Sequence, residues 1–520
     1  MSVRRLTPTL ATIALVAAVP AHAEWLRATS PHFVVYANTT EDALRRKAAE
    51  LERFDALIRR FHKAQANADA ESNRVTVYVL PDVAAVQRMG GMKNVYGFYV
   101  PRITGSIAFT PLNGDSGKFA LSPRMVLFHE YAHHFLLGNY AIAYPAWFTE
   151  GYAEFVSTVV EEKGALWLGA AANHRSWTLF NGKSLTIQQL FQPPPALNAL
   201  GQGDLYARGW LLTHLIMFDA MRRQQFGAYL KLLNGGKPSL AAAQEAFGDL
   251  RALDRQLDVY LKRRSLPAIR VDPATLPPAP IDVVALTPGQ AAMMLIRMQS
   301  ERGVNARTAP LLYATAQTTA AAWPKDAVVQ GWLAEAAFDA RQLDGAEAAA
   351  DAALAVDPNQ VQALSLKGNV RLRRAAQAPA TDPAVWTEAR TWIAKANRAS
   401  NNDAAALALF YQSFLMQRTT PSRNAVAALY RANELVPQDP RIRFLAARQM
   451  LQDGETDRAR QLLQVIAASP HAAPDNAAAR LLALIDAGQT GPAAVEALRK
   501  AAENSQASRG AEADERTGAD

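Results

Sequence analysis

Residues 125–140, MVLFHEYAHHFLLGNY, hold the side chains of this chain best suited to chemistry. His129 and His133 are four apart, so on a helix both imidazoles share one face and can converge on one metal ion. Glu130 sits beside them, at the position that faces a water on such an ion rather than the ion itself. Leu127, Phe128, Ala132, Phe135 and Leu136 give the same helix an apolar side to bury. Polar groups carried into a core cost free energy unless each finds a partner, so a buried His/Glu cluster asks for a function. The plain alternative is a helix that carries three histidines and no ion. The next helix weighs against it. PAWFTEGYAEF (145–155) places Glu150 seventeen residues after His133, on an element that can return antiparallel to the first. An oxygen donor there completes two imidazoles and leaves a fourth position open, the pattern of a catalytic zinc site. Glu154, one turn further on, is the competing ligand.

The two segments resemble the gluzincin zinc metallopeptidases, and within them the bacterial peptidase MA-like domains. The resemblance is carried by His129-Glu130-Tyr131-Ala132-His133 and by Trp147-Phe148-Thr149-Glu150-Gly151-Tyr152-Ala153-Glu154. It implies Zn2+ held by His129, His133 and Glu150, with Glu154 as the acid that braces a ligand histidine. A third segment, LYARGWLLTHLI (205–216), resembles the Tyr-x-Lys-Gly stretch of gluzincin aminopeptidases and implies that Tyr206 stabilises an oxyanion; Arg208 stands where that family has lysine. The implied reaction is peptide-bond hydrolysis: zinc lowers the pKa of its water, Glu130 takes the proton, and Tyr206 meets the developing charge. GGMKN (90–94) is similar to an aminopeptidase motif that holds a substrate ammonium, but Lys93 would repel that group, so it reads as a loop. His134 faces away from the ligand pair and reads as a surface or packing residue. His32, His174 and His214 show no partner pattern, and Trp167, Trp177 and Trp210 are expected in the core.

Positioning these groups needs a scaffold, and its elements are legible. HFVVYAN (32–38) and RVTVYVL (74–80) alternate as strands; GFYVPRI and GSIAFTPL (97–112) read as strands joined at Thr104-Gly105. A long amphipathic helix opens behind a threonine cap near residue 40. The strand GSIAFTPL lies where related peptidases align an extended substrate. The resemblance implies an α+β zincin-type domain over 24–264: a small mixed sheet, the HExxH helix and a helical lower half.

Six prolines in 265–290 mark an extended linker or a strap, and the best domain boundary in the chain. Beyond it, 291–500 is Ala/Leu-rich helix with recurring alanines at 346, 389, 425 and 459, each followed seven residues later by another in the first three units. Small residues at fixed places let paired helices approach closely, and the pattern resembles degenerate tetratricopeptide (TPR) repeats. Such an all-α solenoid leaves a concave face free for a protein partner.

The chain has 520 residues and no cysteine, which excludes disulfides, thiolate ligands and a cysteine nucleophile. Residues 1–23 read as a signal peptide with cleavage after Ala23, so a periplasmic or secreted protein is expected; an uncleaved anchor and a twin-arginine signal at Arg4-Arg5 are the alternatives. No later segment is a candidate span. The formal charge of +8 is dispersed among interleaved acids, which suits a solvated surface and not nucleic acid. ENSQASRGAEADERTGAD reads as a disordered tail over 501–520. Three functions are thus in play: a zinc peptidase with interaction repeats, a non-catalytic scaffold of the cell envelope, or a zinc amidase acting on a cell-wall amide.

Overall fold

The structure is a computed structural model that describes residues 24–500 apart from 65–69, 94, 115–116, 118, 183–184, 195–196, 379–381, 470–472 and 474. The expected leader (1–23) and tail (501–520) lie outside the described residues.

Two strands, β1 (Glu24–Thr29) and β2 (Phe33–Thr39), pair antiparallel. Helix α1 (Glu41–His62) begins where the Thr40 hydroxyl accepts from the Ala43 N–H, as the threonine cap predicts. Strand β3 (Val75–Leu80) runs parallel to β2, and α2 (Val83–Gly90) follows it. A hairpin of β4 (Phe98–Val100) and β5 (Ile107–Pro111) comes next, with β5 parallel to β3. Helix α3 (Pro123–Asn139) carries the His-Glu motif and α4 (Ala146–Ser157) carries Glu150. The hairpin β6 (Val160–Glu162) and β7 (Ala165–Leu168) leads into six helices: α5 (Ser176–Asn181), α6 (Ile187–Phe191), α7 (Ala199–Phe218), α8 (Ala220–Asn234), α9 (Ser239–Phe247) and α10 (Leu250–Leu261).

The proline-rich segment is strand-forming where its prolines allow. Within it β8 (Ile269–Val271) pairs with β7, and β9 (Asp282–Ala285) pairs antiparallel with β1. The main sheet therefore runs β4-β5-β3-β2-β1-β9. Strand β5 is paired on both sides, so the edge expected for an extended substrate belongs to β4 and not to GSIAFTPL. Helices α1 and α3 cover one face, and α4 packs on α3 and α7. Phe54 of α1 and Phe128 of α3 stack with ring centroids 3.9 Å apart, within a core that also holds Phe33, Val35 and Val77 of the sheet. That packing fixes α3 against the sheet, with its histidines on the remaining side.

From Pro288 onward the chain is helical: α11 (Pro288–Arg302), α12 (Ala309–Ala320), α13 (Ala327–Asp339), α14 (Leu343–Val356) and α15 (Val361–Gln377). The hairpins continue through α16 (Pro383–Ala399), α17 (Ala404–Met416), α18 (Arg423–Leu435), α19 (Pro440–Gln452), α20 (Thr456–Ala467) and α21 (Ala477–Asp486). Each helix packs on the next, and alanines 346, 353, 389, 396, 425, 432 and 459 are all fully buried. This is a TPR-like array of helical hairpins. Its first helices share a core with the sheet: Met293, Met294, Val329 and Trp332 cluster with Tyr78, Ile107 and Phe109. The array is not free of the first domain beyond that core either, since the β4–β5 turn touches α11 and packs on α17–α19. No described helix is long and apolar enough to cross a membrane.

Candidate metal centre

Helix α3 starts cleanly, with the Ser122 hydroxyl accepting from the Met125 N–H and Pro123 in the first turn. Tyr131, inside the motif, pins it: its hydroxyl donates to Asp55 Oδ1 of α1 at 2.6 Å. His129 and His133 then project toward α4, and their Nε2 atoms stand 3.1 Å apart. Glu150 Oε2 lies 3.3 Å from the first nitrogen and 3.6 Å from the second. A tetrahedral ion with bonds of about 2.0–2.1 Å needs donors about 3.3 Å apart, so this triangle has the size of one face of a zinc tetrahedron.

Charge agrees with the spacing. Burial disfavours ionisation of Glu150, but His133 and His129 outweigh it and hold the carboxyl well below its usual range. Burial likewise opposes a charged His129, and Glu150, Glu154 and Glu130 together push its pKa up. Three carboxylates around two imidazoles make an environment that favours a cation.

Glu154 is turned away from the triangle. Its Oε2 accepts from His174 Nε2 at 2.7 Å and its Oε1 from Arg175 Nη2 at 2.5 Å, while His129 Nδ1 lies 3.6 Å from Oε1. Burial raises the Glu154 pKa, yet Arg175 and His174 prevail and keep it ionised. The carboxylate thus backs His129 from the nitrogen that does not face Glu150.

Tyr206, on α7, lies over His129 with ring centroids 5.7 Å apart and planes at 21°. The Arg175 guanidinium is 5.1 Å from the centroid of the same phenol. Burial, then the charges of Glu150 and Glu130, push the hydroxyl far above its usual pKa, so it stays a donor. Arg208, in place of the family's lysine, points elsewhere: it pairs with Asp254 at 2.5 Å and Asp258 at 2.7 Å, tying α7 to α10. Helices α4 and α7 come this close because glycines face each other at their crossing, Gly151 against Gly209.

His129, Glu130, His133, Glu150, Glu154 and Tyr206 are therefore brought to one place. His174 and Arg175 join them and were missed, since no spacing rule links a His-Arg pair to a glutamate twenty residues earlier. His174 was read as lacking a partner; its partner is Glu154. His32 and His214 also have partners: Glu52 at 2.8 Å for the first, and Tyr260 and the Gly169 carbonyl for the second. His134 is a packing residue, its Nδ1 2.9 Å from the Tyr99 hydroxyl. Trp210 is core, whereas Trp177 is 67% exposed, contrary to expectation. Lys93 is exposed. His32, Glu52 and Asp55 form a second cluster of ligand types, but Arg59 Nε already lies 2.7 Å from Asp55, which makes it an ion-pair network.

No protein-family model matches the chain, and no curated protein matches it. Among solved structures, TTC0263, a thermophilic TPR protein of Thermus thermophilus, is 17% identical with a TM-score of 0.30, covering 35% of this chain and 92% of its own. A MamA RS-1 ArsTM double mutant is 15% identical with a TM-score of 0.26, covering 35% of this chain and 93% of its own.

Proposed function

We propose that this chain is a zinc-dependent peptidase of gluzincin type, acting outside the cytoplasm, with a TPR-like array for protein contacts. The observation that carries the reading is the donor triangle of His129, His133 and Glu150, whose edges of 3.1, 3.3 and 3.6 Å suit a tetrahedral ion. When bound, zinc supplies Lewis acidity toward a carbonyl and brings water toward ionisation near neutral pH. Glu130, on the face of α3 beside the triangle, accepts the proton of the attacking water and returns it to the leaving nitrogen. The Tyr206 hydroxyl donates to the oxyanion as it forms. Glu154, set by His174 and Arg175, orients His129 and raises its basicity.

The test joins composition to turnover. Purified residues 24–520 should hold near one zinc per chain, and Glu130→Gln should keep that zinc while hydrolysis of unfolded protein substrates falls about 10²–10⁴-fold. Protein without zinc after reconstitution would end this reading.

A second reading is supported by the array itself, which forms nearly half of the described chain as stacked hairpins, an architecture widely used to hold protein partners. In it the chain is a scaffold and the metal is structural. Zinc retained with no turnover on any peptide or cell-wall amide would select it; turnover on the amide alone would select an amidase.

A further inference from the structure

The turn between β4 and β5 does not end in solvent. Arg102 donates from Nη1 to the main-chain oxygens of Glu301 and, at 3.5 Å, Ser300, at the end of α11. Its Nη2 lies 3.6 Å from Glu335 on α13, so the guanidinium spans two helices and is about three-quarters buried. Ile103 takes the opposite direction and packs into the core of α17–α19, against the cluster of Tyr411, Leu429 and Ile442. Ser106 accepts from Gln438 Nε2 at 3.2 Å, and the same amide reaches Asn73 at 2.6 Å. Gly105, at φ 102°, and its N–H to the Arg102 carbonyl at 3.3 Å hold the turn in shape.

These contacts fall at two places on the array: α11 and α13 hold Arg102, and the core of α17–α19 holds Ile103. Between the two places α11, α13, α15 and α17 follow in succession, each touching the next directly as well as through the helix between them. The turn thus meets the array at both places, with an arginine beside Glu335, which Arg297 also holds, and a branched aliphatic side chain in an apolar core. A receptor of this kind recognises a basic residue followed by a branched aliphatic residue, presented in a turn.

We propose that the surface of α11, α13 and α17–α19 that receives the turn is a binding site for an arginine–aliphatic segment, filled in cis by Arg102 and Ile103, and that a partner protein presenting such a segment binds by displacing this turn. The proposal stands apart from whether the metal centre hydrolyses peptides. Displacement would nonetheless reach that centre, because Tyr99 of β4 hydrogen-bonds His134, the neighbour of His133.

The probe is a fluorescein-labelled peptide of residues 98–108, FYVPRITGSIA, titrated by anisotropy against full-length protein. The tethered turn competes at an effective concentration on the order of millimolar, so wild type should bind the probe weakly. The double variant Arg102→Ala, Ile103→Ala should bind it at least about tenfold more tightly, and a probe with both residues changed to alanine should bind neither protein. A folded variant with no gain in affinity overturns the proposal. Should the variant fail to fold, wild type gives the answer: millimolar probe should accelerate hydrogen exchange across the chain's own residues 95–110, and unchanged exchange overturns the proposal equally.

Discussion

A methyl group at position 151 would stand 2.3 Å from the carbonyl oxygen of Gly209, and one at position 209 would stand 2.4 Å from that of Trp147. Backbone therefore meets backbone where α4 crosses α7, and neither side can yield by turning a side chain. Gly151 follows the candidate ligand Glu150 directly, so the crossing sets both the height of that carboxylate and its distance from Tyr206. Gly151→Ala should cost about 1–3 kcal/mol, at the upper end because the clash is with main chain. It should also release zinc. Gly227→Ala on α8, where nothing lies within 4 Å, is the control and should be stabilising by about 0.5–1 kcal/mol. Urea midpoints compare the two; equal shifts would refute the packing argument.

In the proposed metal centre Glu154 would act only through His129, whose Nδ1 lies 3.6 Å from Glu154 Oε1. Glu154→Gln should keep the fold and weaken zinc binding about 10–100-fold, as removal of such a supporting carboxylate does elsewhere. Competition with a chelator of known affinity measures it. Unchanged affinity would reduce Glu154 to a partner of His174 and Arg175.

Tyr206→Phe removes one hydroxyl and leaves the ring on His129. If the hydroxyl meets the transition state, kcat should fall about 10²–10³-fold with KM and zinc content nearly unchanged. A change confined to KM would place Tyr206 in substrate binding instead.

His214 is fully buried between the Tyr260 hydroxyl at 2.8 Å and the Gly169 carbonyl at 3.0 Å. Burial lowers its pKa to about 4, against weaker opposition from the Gly169 and Pro267 carbonyls. The unfolded chain takes up this proton near pH 6.5, before the folded one does. Stability is thus fully present above about pH 6.5 and is lost as pH falls toward 4, by on the order of 2–3 kcal/mol from this group. His214→Gln should flatten that part of a urea-midpoint profile between pH 7 and 4. A variant as steep as wild type would assign the acid sensitivity to other groups.

Much of this was legible because it obeys local rules. The four-residue spacing of His129 and His133 and the seven-residue spacing of Ala346 and Ala353 are helix geometry, and the structure places each pair on one face. Strands β2 and β3 followed from β-branched alternation. What escaped was non-local. Arg175 and His174 reach Glu154 across the β6–β7 hairpin, and no periodicity encodes that. The edge position of β4 depends on sheet order, which strand propensity does not contain. Gly151 and Gly209 did carry a signal: a glycine inside a helix costs about 1 kcal/mol against alanine, so two of them beside candidate site residues imply a close crossing. The turn at Arg102 looked like any exposed turn because its partners lie some two hundred residues away and beyond.

Strand β1 lies between β2, which follows it at once, and β9, where Ala285 faces Leu26. As the chain emerges N-terminus first, whether from the ribosome or across a membrane, one side of β1 is satisfied almost immediately and the other must wait for about 260 more residues. Throughout that interval the growing protein carries a bare row of amide and carbonyl groups, able to pair with any passing strand. The interval is therefore a window for mispairing that the finished sheet no longer shows. Cutting the chain short of residue 282 would make that waiting permanent.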